Sequence, residues 1–330
     1  MNNNPWKILV TTAPFGEADP APLELLKAAG VSYNLNPFGR RFQEDELAEM
    51  IGPYHVLIAG TEPITRRVLE RAPNLKHISR VGIGLDSVDL NAARELGIQV
   101  SYTPDAPAPA VAELAVGQML NLLRFVPQAD RGMRRGTWKR LMGRRLSECV
   151  VGIIGLGRIG KRVTCHLAGF GPKILVNDIA PDHDFIERQC LFLVEKEQIH
   201  READIITLHV PLTPETQGLI GPRELAMMKP DALLINTARG GIVDEAALAA
   251  ALRAGKLGGA AVDVFEQEPY TGELIGLENC LLTCHMGSCS LDCRVRMERE
   301  ATEEAVRFVQ NQPLQGLVPE SEYLTRGVRS

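Results

Sequence analysis

Three apolar runs in the second half of this chain each end on a polar side chain able to do chemistry. Leu233-Leu234-Ile235-Asn236-Thr237-Ala238-Arg239 places Arg239 just beyond the first. Ala260-Ala261-Val262-Asp263-Val264-Phe265-Glu266-Gln267-Glu268 places Asp263 and Glu268 beyond the second. Leu281-Leu282-Thr283-Cys284-His285 places His285 beyond the third. A guanidinium can grip a carboxylate through two parallel hydrogen bonds and polarise a neighbouring carbonyl. A histidine titrates in the working range and can give or take the proton that accompanies a hydride. A carboxylate beside it fixes the ring and favours the imidazolium. One polar residue at a strand end is ordinary. Three at corresponding ends of successive strands, in a chain that also carries the dinucleotide-binding pattern described next, outweigh that reading and mark a candidate site.

The carrier's site is read from residues 150 to 178. Val150, Val151, Ile153 and Ile154 form a buried-type strand, and Gly155-Leu156-Gly157-Arg158-Ile159-Gly160 follows at once. A helical stretch from Lys161 to Phe170 leads to a second strand, Lys173 to Asp178, which ends on that acid, 18 residues past Gly160. Gly155 permits a tight turn, Gly157 lets backbone approach a pyrophosphate, and Gly160 lets helix and strand pack closely. The helix N-terminus offers unpaired N–H groups and a positive dipole end to the phosphates. Asp178 can accept from both hydroxyls of an adenosine ribose and would repel a 2′-phosphate. The glycine pattern alone is weak. In its strand–turn–helix–strand–acid setting it specifies NAD.

The elements that must carry these groups alternate. Strand-like segments occur at 7–11, 55–58, 77–80 and 98–101, with helical patterns at 21–29, 43–51, 65–72 and 89–96. The Pro-rich stretch Thr103 to Pro109 breaks this alternation as a hinge, and Ala110 to Phe125 reads as a long apolar helix. Further strands fall near 191–193, 205–209, 232–236, 258–263 and 280–283. The helix at 290–311 has no sheet of its own and should return to the first domain. The expected fold class is α/β, with two doubly wound parallel-sheet, Rossmann-like domains and a cleft between them. Residues 1–102 and 290–330 form a discontinuous substrate-binding domain, and 103–289 the NAD-binding domain.

Composition narrows the function classes. The chain has 330 residues, enough for two domains with their own cores. A net charge of −5 gives no general drive toward nucleic acid or acidic membranes. No apolar run approaches the roughly 20 residues of a membrane span. Met1 to Pro5 leads directly into Lys7 to Val10 without the apolar core of a signal peptide, so a cytoplasmic location is expected. Cys280, Cys284, Cys289 and Cys293 cluster beside His285, but their C-x3-C-x4-C-x3-C spacing is unlike a zinc knuckle. Buried free thiols are expected, with neither metal nor disulfide.

At these residues the chain resembles the D-isomer-specific 2-hydroxyacid dehydrogenases, on the 3-phosphoglycerate dehydrogenase-like branch. The motifs are Val81-Gly82-Ile83-Gly84-Leu85-Asp86-Ser87-Val88-Asp89, Ala110-Val111-Ala112-Glu113-Leu114, Val151 to Gly160, His209-Val210-Pro211-Leu212-Thr213, Asn236 to Asp244 and Asp263 to Pro269. The resemblance implies that His285 is the acid/base, Glu268 its partner, and Arg239 the group that binds and polarises a 2-oxo acid. Backbone N–H groups around Val81 and Gly82 would hold the substrate carboxylate. Arg158 and Ile159 would lie at the pyrophosphate, Pro211 near the adenine side, and Thr237, Ala238 and Asp263 near the nicotinamide, with His209 also binding the cofactor. The helix from Ala110 would join a homodimer interface.

Departures bear on the substrate. Phosphoglycerate-specific members usually carry an Arg-Ser pair where this chain has Gly60-Thr61-Glu62, and a proline where it has Cys284. No C-terminal regulatory domain is expected, and the tail from Pro319 to Ser330 reads as polar and loosely held. Arginines between Arg131 and Arg145 could supply a phosphate grip or simply be solvated. The expected reaction is reversible hydride transfer between NAD and a small D-2-hydroxy acid, 3-phosphoglycerate or the alcohol of hydroxypyruvate or glyoxylate. Alternatives are a non-catalytic NAD sensor or repressor, and a relative acting on phosphite or formate.

Overall fold

The computed structural model describes residues 5–325, so Met1 to Asn4 and the last five residues of the tail lie outside it. The chain divides into two compact units, one of residues 1–107 with 289–330 and one of 108–288.

In the first unit, strands β1 (Lys7–Val10), β2 (Ser32–Leu35), β3 (Val56–Ala59), β4 (His77–Arg80) and β5 (Gln99–Tyr102) form one sheet in the order β2-β1-β3-β4-β5. Helices α1 (Ala21–Ala28), α2 (Glu44–Met50), α3 (Arg66–Glu70) and α4 (Leu90–Glu95) connect them. Every pair is parallel, as βα alternation requires. β3 and β4 are buried at every position. β2 was not foreseen, and its burial shows why: a polar edge strand, Ser-Tyr-Asn-Leu, exposed at three of four residues, carries no hydrophobic signal.

The second unit opens with α5 (Ala108–Leu123) and α6 (Val126–Arg134). Strands β6 (Val150–Ile154), β7 (Lys173–Asn177), β8 (Phe192–Leu193), β9 (Ile205–Leu208), β10 (Leu233–Asn236), β11 (Gly259–Val262) and β12 (Cys280–Leu282) follow, in the order β12-β11-β10-β9-β6-β7-β8. Between them run α7 (Arg158–Ala168), α8 (His183–Arg188), α9 (Lys196–Glu202), α10 (Pro222–Met227) and α11 (Glu245–Arg253). Successive side chains of a strand point to opposite faces, and the core obeys this. Ile205, Leu233, Ile235 and Ala261 join α5 and α7 in one apolar cluster. Their neighbours Ile206, Leu234, Ala260 and Val262 join residues of α9, α10 and α11 in the other. Near-continuous apolar runs such as Leu233-Leu234-Ile235 are the consequence, because both faces are covered.

The chain returns to the first unit with α12 (Leu291–Val309) and α13 (Glu320–Thr325). α12 packs on β3, β4, β5 and α1. α13 corrects the expectation of a loose tail: Arg94 pairs with Glu320 at 2.7 Å and stacks on the Tyr323 ring, which packs against the core. A polar sequence hid these anchors. α7 likewise begins at Arg158, three residues before the expected Lys161, because Gly157 already serves as its N-cap.

His77 on β4 has no exposed surface, bonds Ser101 at 2.9 Å through Nε2 and stacks on Phe308. Burial holds its pKa down at about 3. The unfolded chain therefore takes up a proton near pH 6.5 that the folded one refuses, so the contribution is intact above that pH and lost as pH falls toward 3. Tm should drop over this interval, and less steeply in His77→Phe, which keeps the stack without a titrating nitrogen. Equal slopes in thermal scans of the two proteins would refute it.

Candidate active site

Within the second unit the strand order reverses between β6 and β9, the switch point at which open α/β sheets bind ligands beyond their carboxyl ends. Gly155 follows β6 with φ +97°, and a methyl group on it would lie 2.5 Å from the His209 carbonyl oxygen. A methyl on Gly160 would lie 2.0 Å from the Gly155 oxygen. Both positions are closed by backbone. Gly157 is different: a methyl there meets nothing within 4 Å. The open position thus faces outward at the N-terminus of the 11-residue helix α7, where Arg158 and Ile159 begin the helix and its dipole favours an anion.

Asp178 ends β7 with one N–H on each oxygen, from Leu156 at 2.6 Å and Ala180 at 2.8 Å. A carboxylate offers about four lone-pair sites, so capacity for ribose hydroxyls remains. Two orphaned polar atoms lie at the neighbouring strand ends. His209, past β9, bonds Thr207 at 3.0 Å through Nε2, while its enclosed Nδ1 has no partner. Burial holds this imidazole's pKa at about 3, keeping it neutral. The Thr237 hydroxyl, past β10, is buried and unpartnered too. Buried polar atoms are normally satisfied, so these two, with the open Gly157, fit a dinucleotide laid across the strand ends. Pro211 is exposed beside them, and Ala238 is buried next to Thr237.

The chemistry-bearing residues form one contiguous group. His285 directs Nδ1 at both oxygens of Glu268, at 2.8 and 3.0 Å, and both side chains are partly open to solvent. Glu268 also accepts the Phe265 N–H at 3.1 Å. Arg239 follows a turn closed by Asn236, whose side chain donates to the Arg239 carbonyl at 3.0 Å and accepts from Ala238 at 3.1 Å. Its neighbour Gly240 abuts the Glu268 loop so closely that a methyl group would lie 2.0 Å from the Phe265 carbonyl. The loops after β10, β11 and β12 are thus in contact. Asp263 is 1% exposed and accepts from Thr283, Met286 and Gly287. Sequence reading missed Thr283, Asn236 and Gln118; their signal, single polar residues interrupting apolar runs, is shared by many structural positions.

In the first unit, Val81 donates to the Ala59 carbonyl at 2.9 Å and Gly82 to the Thr103 hydroxyl at 2.8 Å. Both N–H groups thus have protein acceptors in the structure, and that of Gly82 is a side-chain hydroxyl. The donors next along, at Ile83 and Gly84, have no protein acceptor among the described residues. This unit has its own switch point, between β1 and β3. There Glu62, 1% exposed, accepts from the Thr11 hydroxyl and, at 3.1 Å, from the Gly60 N–H.

Other expectations need revision. α5 is apolar because it packs on α7, β10 and β11 in its own unit's core, so its composition does not itself point to a partner. The basic segment is largely paired: Arg134 with Asp130 at 2.8 Å, Arg144 with Asp204 and Asp231 at 3.2 Å, and Arg145 with Glu148 at 2.7 Å. Of the clustered thiols only Cys293 is buried; Cys280 is half-buried, and Cys284 and Cys289 are exposed, against the expectation of burial, because they lie in the loop after β12.

Residues 116–287 match the family model described as D-isomer specific 2-hydroxyacid dehydrogenase, NAD binding domain. The chain is similar to D-3-phosphoglycerate dehydrogenase of Methanocaldococcus jannaschii, 43% identical over 251 residues, which are 74% of this chain and 48% of that protein. It thus spans about half the length of that relative. It is also similar to hydroxypyruvate reductase of Thermotoga maritima, 37% identical over 294 residues, covering 87% of this chain and 95% of the other. The crystal structure of the TT0316 protein from Thermus thermophilus superposes with a TM-score of 0.87 at 34% identity, covering 95% of this chain and all of that one. Among the described residues no helix is long and apolar enough to cross a membrane.

The two glycines give opposite expectations. Gly160→Ala should lower Tm, since a Cβ at 2.0 Å from backbone must displace it. Gly157→Ala should leave Tm unchanged and weaken NADH binding in a fluorescence titration. NADH affinity equal to wild type in Gly157→Ala would show that the dinucleotide does not approach there.

Proposed function

The chain belongs to the D-isomer specific 2-hydroxyacid dehydrogenases, oxidoreductases that use NAD, and from that premise we propose that its substrate is small and unphosphorylated. The reaction is reversible hydride transfer at C2 of a D-2-hydroxy acid, with hydroxypyruvate or glyoxylate as the 2-oxo partner. The observation that carries this reading is the His285 Nδ1 contact with both Glu268 oxygens. It leaves Nε2 as the nitrogen that meets the substrate oxygen.

NAD, held by Gly155 to Gly160, Asp178, His209, Pro211, Thr237 and Ala238, supplies the hydride donor and acceptor. In reduction, Arg239 clamps the 2-oxo acid and polarises its carbonyl. As C2 gains the hydride, His285 passes its Nε2 proton to the new alkoxide and is left neutral, to be recharged from solvent. In oxidation the same nitrogen takes the hydroxyl proton. We assign substrate binding to the first unit, through the N–H groups of the loop beginning at Val81 and Gly82, with Ile83 and Gly84 as donors. Dinucleotide binding is assigned to the second.

Two observations favour an unphosphorylated substrate. The buried Glu62 carboxylate occupies the first unit's switch point and opposes a dianion. Three of the arginines offered as a phosphate grip, Arg134, Arg144 and Arg145, pair with Asp130, Asp204, Asp231 and Glu148. NADH consumption should be fast with hydroxypyruvate or glyoxylate and slow with 3-phosphohydroxypyruvate. His285→Ala should cut turnover about 10²–10⁴-fold with NADH binding intact. Preference for the phosphorylated acid would reverse the substrate assignment, and turnover of no 2-oxo acid would defeat the reading altogether.

We further propose a cytoplasmic homodimer. All seven cysteines are free thiols, as in a reducing compartment. Trp138 and Met142 are 80% and 90% exposed, and Phe125, Val126 and Met133 are also uncovered. So many large apolar side chains on one short segment mark a contact surface. Light scattering should give twice the monomer mass, shifting to one in Trp138→Ser with Met142→Ser. A monomeric wild type would dispose of the dimer.

A further inference from the structure

His285 has φ +52°, a left-handed conformation for a residue with a Cβ. Such backbone persists only where its surroundings over-determine it. Here Thr283 donates to the Val262 carbonyl at 3.1 Å and His285 to the Asp263 carbonyl at 2.7 Å. The next two N–H groups, of Met286 and Gly287, donate to the Asp263 carboxylate at 2.9 and 2.8 Å. Asp263 thus binds the loop before, at and after the histidine's turn.

The Asp263 carboxylate is itself fixed. The Thr283 hydroxyl donates its only proton to Asp263 Oδ1 at 2.5 Å, so it can only accept from Gln118 Nε2, 3.2 Å away. Gln118 is 2% exposed on α5, between apolar residues of the core, and its Oε1 has no partner. A buried amide with half its capacity unmet costs stability. Polar groups that break the local rule in this way concentrate where function needs them. A methyl group on Gly287 would lie 3.2 Å from Asp263 Oδ2 and 3.3 Å from Val111 of α5, so the loop is also pressed against the helix that carries Gln118.

We propose that Gln118, Thr283 and Asp263 form a buried positioning relay that holds the His285 turn so that its ring meets Glu268. The inference rests on His285 being the proton carrier. None of the three touches a reacting atom through this relay. Three of Asp263's roughly four lone-pair sites are taken, leaving one for the nicotinamide side to which the residue was also assigned.

The test uses the full chain with NADH and hydroxypyruvate or glyoxylate. Thr283→Val keeps the shape and removes the hydroxyl; Thr283→Ser keeps the hydroxyl. In the valine variant kcat should fall about 10- to 100-fold, the usual cost of misplacing a catalytic group by an ångström, with KM for NADH unchanged. Serine should restore kcat. Amide hydrogen exchange at Met286 and Gly287, read by NMR without substrate, should accelerate in Thr283→Val and not in Thr283→Ser. Gln118→Met should accelerate it to a smaller degree, and serves alone if the valine variant does not fold. Wild-type kcat and exchange in Thr283→Val would overturn the relay, as would a loss that serine does not rescue or one matched by a higher KM for NADH. Should the wild type reduce no 2-oxo acid, the proposed activity fails, and the exchange rates still decide the relay.

Discussion

A parallel strand pair can be closed only by a crossover, so consecutive strands are separated by a helix in sequence while their carboxyl ends gather along one edge in space. Both sheets are parallel at every pair. Residues as distant as Gly155, His209, Thr237, Asp263 and His285 therefore share the edge of one sheet without any sequence motif joining them. Each is the first residue that β6, β9, β10 or β11 releases, or the third released by β12. The buried strands behind them leave little freedom: Ile205 to Leu208 and Leu233 to Asn236 are covered on both faces, and a shift of register would exchange those faces.

Along that edge the spacing is set by backbone touching backbone. Gly155 against His209, Gly160 against Gly155, and Gly240 against Phe265 each leave no room for a Cβ. Overpacking typically costs about 1–3 kcal/mol, yet moving backbone at a 2 Å approach would displace the loops that carry Arg239 and Glu268 as well. Exposed ion pairs such as Arg40–Glu46 and Arg67–Asp45 are screened by solvent and do not compete with this. The glycine contacts, not the surface charges, decide where Arg239 and Glu268 lie relative to each other.

The fold class was legible because both signals it depends on are local: apolar runs bounded by turn residues, and helical spacing between them. β2 escaped because an exposed edge strand has no such run, and α13 because its anchors, Arg94 and the core under Tyr323, are remote in sequence. The proximity of Glu268 and His285 could be inferred from adjacent strand ends, β11 beside β12. The fate of Val81 and Gly82 could not. Their N–H groups are consumed by Ala59 and Thr103, and which acceptor takes a given amide is settled by three-dimensional packing. Gln118 illustrates the same limit: a glutamine in an apolar helix carries no sign of the hydroxyl it will meet.

The two switch points present chemically different groups. In the second unit the reversal at β6 and β9 presents glycine, neutral histidine and an unpartnered threonine, groups suited to a ligand common to many enzymes. In the first, the reversal at β1 and β3 presents Glu62 clamped by Thr11 and Gly60. A buried carboxylate with its donors in place cannot swing away to admit an anion, and withdrawing either donor would leave the charge uncompensated. Glu62 is thereby fixed three residues beyond the end of a fully buried strand. A single substitution at Glu62 would strand the Thr11 hydroxyl and the Gly60 N–H, so this switch point can change only as a group.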